Sequence, residues 1–156
     1  MLNKILKQIH KKLLRKEKTV AIAESCTGGL LSSLLTSLPG ASSYFLLGVV
    51  TYSNRSKETI LNIPAKTITK YGAVSCQVAI LMAKNIRRKT KADFGLSITG
   101  IAGPTGALAT KPIGTVFIAL AHKNKTLCRS FLLPGKRENI RKQSTREALR
   151  LLDAHT

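Results

Sequence analysis

The sequence predicts an α/β fold, a single three-layer domain with one mixed β-sheet and helices on both faces. Three observations lead there. Short β-rich apolar runs alternate with helix-period segments through the first hundred positions. Two further runs sit back to back near the end, as in a hairpin. No repeat, low-complexity tract or linker interrupts the 156 residues, and 44% apolar content is enough to bury one core, so residues 1–156 read as one domain.

Taken in order, Leu2, Ile5, Leu6, Ile9 and Leu13 fall at helical spacing and predict a packed first helix. Thr19–Ala23 reads as a short buried strand running into Glu24-Ser25-Cys26-Thr27-Gly28-Gly29. An apolar helix is expected from about Leu30 to Leu38, and a strand from Tyr44 to about Thr51. Helical segments follow near Ser56–Leu61, after Pro64, and at Ser75–Lys89, where Val78, Leu81, Met82 and Ile86 share a face. Phe94–Ile98 is a strand that opens into the glycine-rich loop Thr99–Gly106. Gly114–Ala121 and Thr126–Leu133 form the hairpin around a turn at His122–Lys125, and a last helix spans about Arg137–Leu152.

Composition limits the function classes. Lysine and arginine total 26 against 7 acidic residues, a net charge of +19. Such an excess suits anionic partners, yet the basic residues crowd the polar sides or ends of helices. No aromatics interleave with them to stack on bases, so nucleic acid is not the expected partner. Cys26, Cys76 and Cys128 lack CxxC spacing, which argues against a disulfide framework or a zinc site and suits a reducing cytoplasm. No run reaches transmembrane length, and the N-terminus does not read as a secretory signal, so no membrane association is expected.

The segment PGASSYFLLGVVTYSNRSK, 39–57, carries the chemistry. A strand there has serines in the turn before it, and Tyr52 and Lys57 after it. Serine needs a base to take its proton, and a desolvated lysine can serve. His10, His122 and His155 lie in no motif-like setting, so a Ser/Lys/Tyr site is easier to build than a Ser/His/Asp triad. Glycines gather after two predicted strands, at Gly28-Gly29 and in Thr99–Gly106, where backbone N–H groups can approach an anionic ligand. Ser25 or Thr27 can equally be the N-cap of the following helix. Arg137 and Arg141 share a face at the start of the last helix and suit a phosphate or carboxylate.

AESCTGG (23–29), PGASSYF (39–45), GVVTYSNRSK (48–57), YGAVS (71–75), SITGIAGPTG (97–106), KPIGTV (111–116) and GKRENIR (135–141) occur in one order. The series resembles the C-terminal domain of the competence/damage-inducible protein A (CinA) family, whose stand-alone members include nicotinamide mononucleotide amidases. The likeness runs from about Thr19 to Leu152. It implies hydrolysis of the carboxamide of nicotinamide mononucleotide to nicotinic acid mononucleotide and ammonia, in pyridine-nucleotide recycling, with no cofactor and no metal. It further implies Ser42 as nucleophile, with Ser43 and Ser25 as competitors, and Lys57, helped by Tyr52, as proton shuttle. Ser25, Thr27, Gly28, Gly29, Thr99, Gly100, Gly103, Arg137 and Arg141 would hold the nucleotide. A homo-oligomer is compatible with the sequence, which does not set the oligomeric state. Cys76, Ala107–Thr110 and Lys136 depart from the family's usual pattern. Two other readings stand beside the amidase: a catalytically silent nucleotide- or partner-binding domain, and a nucleic-acid-associated competence protein. The larger domain that precedes this one in two-domain relatives has no counterpart in the sequence.

Overall fold

The computed structural model describes residues 2–123 and 125–156. Its strands are β1 (Val20–Glu24), β2 (Phe45–Val50), β3 (Phe94–Gly100), β4 (Thr115–His122) and β5 (Lys125–Leu132), in the sheet order β2-β1-β3-β4-β5. β1 runs parallel to β2 and β3, whereas β4 is antiparallel to β3 and to β5. The helices are α1 (Leu2–Arg15), α2 (Leu30–Leu35), α3 (Asn54–Leu61), α4 (Ala65–Tyr71), α5 (Cys76–Thr90) and α6 (Arg137–Asp153). None of the described helices is long and apolar enough to cross a membrane.

Period-two alternation along the strands creates the layers. Val20, Ile22, Leu96, Ile98, Val116, Ile118 and Leu120 point to one face and pack with Ile9 and Leu13 of α1, Leu31 and Leu35 of α2, and Leu149 of α6. Their alternates Ala21, Ala23, Ala119 and Ala121 point the other way, toward α3, α4 and α5. Small residues on that face let α5 ride close to the sheet. A Cβ at Gly95 would lie 2.2 Å from the Ala83 carbonyl oxygen, so a larger residue there would push the helix away.

From β1 the chain goes through α2 to β2 on one side. It then returns through α3, α4 and α5 to β3 on the other side. The strand order therefore reverses at β1, and the crevice beyond its carboxyl end is where ligands bind in open α/β sheets.

Glu24 closes β1 inside the protein, fully buried. Its Oε2 accepts from the Thr27 hydroxyl (2.6 Å) and the N–H groups of Gly29 (3.1 Å) and Leu31 (3.2 Å). Its Oε1 accepts from the Ser32 N–H (2.8 Å) and hydroxyl (2.7 Å). Neither Ser25 nor Thr27 caps α2. Gly29 holds the N-cap position at φ 93, and Glu24 supplies the acceptors that a capping side chain would.

Other boundaries shift for local reasons. α2 stops at Leu35, where the Thr36 hydroxyl bonds back to the Ser32 carbonyl (2.8 Å) and the Ser37 hydroxyl to that of Leu34 (2.7 Å). Tyr44 drops out of β2 because its ring is buried and its hydroxyl donates to the Leu35 carbonyl at 2.7 Å. Of the expected hairpin turn, Asn124 lies outside the described residues.

Glu24→Gln keeps size and shape but turns an amide N–H2 toward groups that themselves donate. Urea unfolding should show a loss of about 2–3 kcal/mol, the cost of unsatisfied buried donors. A loss below about 0.5 kcal/mol would mean that the five hydrogen bonds contribute little.

Candidate active site

Lys57 lies in the first turn of α3, which begins where the Ser53 hydroxyl accepts the Ser56 N–H at 3.0 Å. Its side chain turns inward and is only 1% exposed. Nζ lies 2.7 Å from the Thr51 carbonyl oxygen, 3.4 Å from that of Tyr52 and 3.1 Å from Ser25 Oγ. Burial lowers its pKa from 10.5 to about 8, with Cys26 opposing. Burial, and not the neighbouring Arg55, is the cause. A neutral Nζ in this position can donate its two protons to the two carbonyls and turn its lone pair to the Ser25 hydroxyl.

Ser25 follows β1 directly and is buried at the head of the Glu24–Gly29 turn. Cys26, the next residue, is a competing nucleophile by position. Its thiol is pushed up to about 11, mainly by burial, and so stays protonated near neutral pH.

A cavity of about 310 Å³ opens over Ser25, Cys26 and Lys57 at the carboxyl ends of β1 and β3. Thr99, Gly100 and Gly103 line one side of it, together with Thr105 and Gly106. The Thr99 hydroxyl donates to the Ala73 carbonyl at 2.9 Å and ties that wall to the segment before α5. Arg137, the first residue of α6, reaches across the mouth. It donates to the Gly103 carbonyl (2.8 Å) and to the Tyr52 hydroxyl (2.9 Å). A larger open groove of about 560 Å³ beside Ile60, Leu81 and Arg88 holds no serine or cysteine.

The expected residues thus fall into groups. Ser25, Tyr52, Lys57, Thr99, Gly100, Gly103 and Arg137 line one cavity. Thr27, Gly28, Gly29 and Arg141 stand behind it: Arg141 donates twice to the Thr27 carbonyl, at 2.7 and 3.2 Å, and holds the turn from outside. Tyr52 meets Lys57 through its carbonyl, while its hydroxyl is taken by Arg137.

Ser42 requires a correction. It is exposed on the short 3-10 turn Ala41–Ser43, before β2, whereas Lys57 follows the other end of that strand. Six residues of strand separate the two ends, about 20 Å. Lys57 meets Ser25 instead. Sequence reading also passed over Cys26 and Asn54 as lining residues. Both lie inside the motifs AESCTGG and GVVTYSNRSK, which is the signal that could have found them.

The model of the CinA C-terminal domain matches residues 2–156. A competence-damage inducible protein of Desulforudis audaxviator is 49% identical over 140 residues, covering 90% of this chain and 34% of that protein. A CinA-like protein of Leptospira biflexa is 46% identical over 149 residues, covering 95% of this chain and 36% of its own length. The chain therefore spans about a third of the curated relatives it matches. Among solved structures, the competence/damage inducible protein CihA of Agrobacterium tumefaciens superposes with a TM-score of 0.95 at 36% identity, covering 98% of this chain and 94% of that one. A CinA superfamily protein of Escherichia coli gives 0.94 at 30% identity, covering 99% and 90%. With its sheet, its helices and nearly its whole length matched, this chain belongs to the CinA C-terminal domain family.

Proposed function

We propose that this chain is an amidohydrolase that converts nicotinamide mononucleotide to nicotinic acid mononucleotide and ammonia, with Ser25 as nucleophile and Lys57 as its base. The observation that carries this reading is the buried Lys57 Nζ at 3.1 Å from Ser25 Oγ, on the floor of a cavity rimmed by Arg137. Family membership supports the amide chemistry, since the motif series resembles one that includes such amidases.

In this mechanism neutral Lys57 takes the Ser25 proton as Oγ attacks the carboxamide carbon. The tetrahedral intermediate collapses when Lys57 returns that proton to the nitrogen, which departs as ammonia. Water then attacks the ester, Lys57 again acting as base, and nicotinic acid mononucleotide leaves. Arg137 and the first turn of α6 take the phosphate, a double cationic and helix-end attraction. Lys136, at the N-cap of α6, makes no side-chain cap, so it leaves the first N–H groups of that helix to other acceptors.

Incubation of the purified chain with nicotinamide mononucleotide should release ammonia. Ser25→Ala should lose at least about a thousandfold in kcat, while Ser42→Ala and Cys26→Ala remain near wild type. Activity that survives Ser25→Ala and vanishes in Ser42→Ala would return the role to Ser42.

The pH profile follows from Lys57. The rate should rise through about pH 8, because only the neutral amine accepts the serine proton, and Lys57→Arg should be as inactive as Lys57→Ala. Stability moves the same way. The unfolded lysine titrates near 10.5 and the folded one near 8, so between them the unfolded state binds more protons and stability rises with pH. From pH 7 to 9.5, wild type should gain about 2 kcal/mol more than Lys57→Met in urea unfolding. An equal slope in both proteins would place the amine in a solvated site.

Arg137→Ala should raise KM for nicotinamide mononucleotide roughly ten- to a hundredfold more than for the riboside lacking phosphate. An equal effect on both would make Arg137 a strap on the Gly103 loop and nothing more.

A further inference from the structure

A second cationic cleft lies at the end of the sheet away from Ser25. Two adjoining cavities, about 280 and 340 Å³, share Arg87 and Lys123. Lys84 and Arg88 of α5 line one; Lys16 and Lys18, from the turn after α1, line the other, with His122 of β4 and His155 beyond α6. The negative end of the α5 dipole accounts for basic residues in that helix's last turn. It does not account for four other segments bringing cations or imidazoles to the same place.

The cleft is short of negative charge. Asp93 is the one acidic side chain among its described lining residues, and both its oxygens are engaged. Oδ1 pairs with Lys18 at 2.9 Å, and Oδ2 accepts from the Thr19 N–H and hydroxyl, each at 3.0 Å. Lys84, Arg88 and Lys123 have no acidic partner among the described residues. Arg87 is fixed in place by donating to the carbonyls of Asp93 and Lys123, each at 3.0 Å. Lys16 donates to the main-chain carboxylate of Thr156, the last residue, which is the other negative group lining the cleft.

His122 Nε2 is buried and has no hydrogen-bond partner among the described residues. Its ring lies 5.4 Å from that of His155, whose Nδ1 donates to the Leu151 carbonyl at 2.8 Å. An orphaned imidazole nitrogen beside Lys123, with Lys84 and Arg88 in the adjoining cavity, is an unfilled place for an anion's oxygen.

We propose that this cleft binds a compact oligophosphate, a pyrophosphate-like group whose charges are spread over neighbouring oxygens and match Arg88, Lys84 and Lys123 on one side and His122 on the other. A small ligand is favoured over nucleic acid. The cavities are concave and of mononucleotide size when joined, and their one aromatic besides the histidines, Phe94, is buried at 6% exposure and offers bases no platform.

Proton linkage gives the site a signature. Burial, then His155, Lys125, Lys123 and Arg87 in decreasing order, hold the His122 pKa below 6.5; Lys16, Lys18, Asp93, Phe94 and the carboxylate-bearing Thr156 also line its cavity. A bound anion offsets the repulsion and favours the imidazolium, so binding takes up protons and tightens as pH falls.

Isothermal titration calorimetry of the whole chain with inorganic pyrophosphate, at about 0.15 M ionic strength, tests this. Pyrophosphate should bind at a stoichiometry of one to this cleft, about tenfold or more tighter than sulfate, and tighter at pH 6 than at pH 7.5. Arg88→Glu/Lys123→Glu, both exposed positions, should weaken it at least about tenfold with thermal melting unchanged, while Arg137→Ala should leave it intact. His122→Gln should flatten the pH dependence. The proposal fails if sulfate binds equally well, or if Arg137→Ala removes binding and the double variant does not. It also fails if affinity is independent of pH, or if duplex DNA of increasing length outcompetes pyrophosphate with a steep salt dependence, which marks a general polyanion surface.

Discussion

The buried Glu24 side chain is the constraint on which the site depends. A carboxyl group at the end of a central strand is costly to bury unless its oxygens are filled. Here five donors fill them, and every one comes from Thr27, Gly29, Leu31 or Ser32. The chain after β1 is therefore wrapped around its own last side chain, and Ser25 is presented upward from that wrap. Arg141 clamps the same turn through the Thr27 carbonyl, so α6 and β1 agree on where the serine sits. Gly28 is bound into this arrangement as well. At φ 62 it occupies the left-handed region, and a Cβ there would come within 3.3 Å of the Arg141 guanidinium.

Lys57 supplies the opposing choice, a group placed where it weakens the fold at neutral pH. Burial that costs the charged amine about 3 kcal/mol also makes the neutral amine available near pH 8. The helix that carries it is short, eight residues, and is anchored by Leu61 in the core beneath α5. Stability given up at Lys57 is supplied by packing elsewhere, as strained functional sites require.

Much of this fold was legible in the sequence. Apolar runs, helical periods and the turns between them point to the five strands and six helices among the described residues, because burial on the sheet faces is what those patterns record. Much of the cavity wall was legible too, as glycine-rich loops after strands. The expected pairing of Ser42 with Lys57 fails for a topological reason. Ser42 and Lys57 bracket one strand and so look like neighbours, yet a strand carries its two ends to opposite edges of the sheet. Ser25 follows β1 and Lys57 follows β2, and parallel pairing of those strands brings both to the same edge. Residues that follow parallel strands meet; a residue before a strand and one after it do not. Arg141 turns to the Thr27 carbonyl and Arg137 to the cavity mouth, because a shared helix face says nothing of which neighbour each meets.

The net charge of +19 is less important to the chemistry than its size suggests. Within the catalytic cavity the cationic side chains are Lys57 and Arg137. In the proposed reaction Lys57 is neutral when it acts, which leaves Arg137 as the fixed charge available to a phosphate. The remaining basic residues do not line that cavity, and exposed charges farther away than about 8 Å are largely screened at cellular salt. Many are held structurally: Lys12 pairs with Asp153 at 2.8 Å across α1 and α6, and Lys142 with Glu138 at 2.6 Å along α6. Positive charge therefore has separate tasks in this molecule. It is sparse around the buried Lys57 amine and gathers in the clefts at the far end of the sheet.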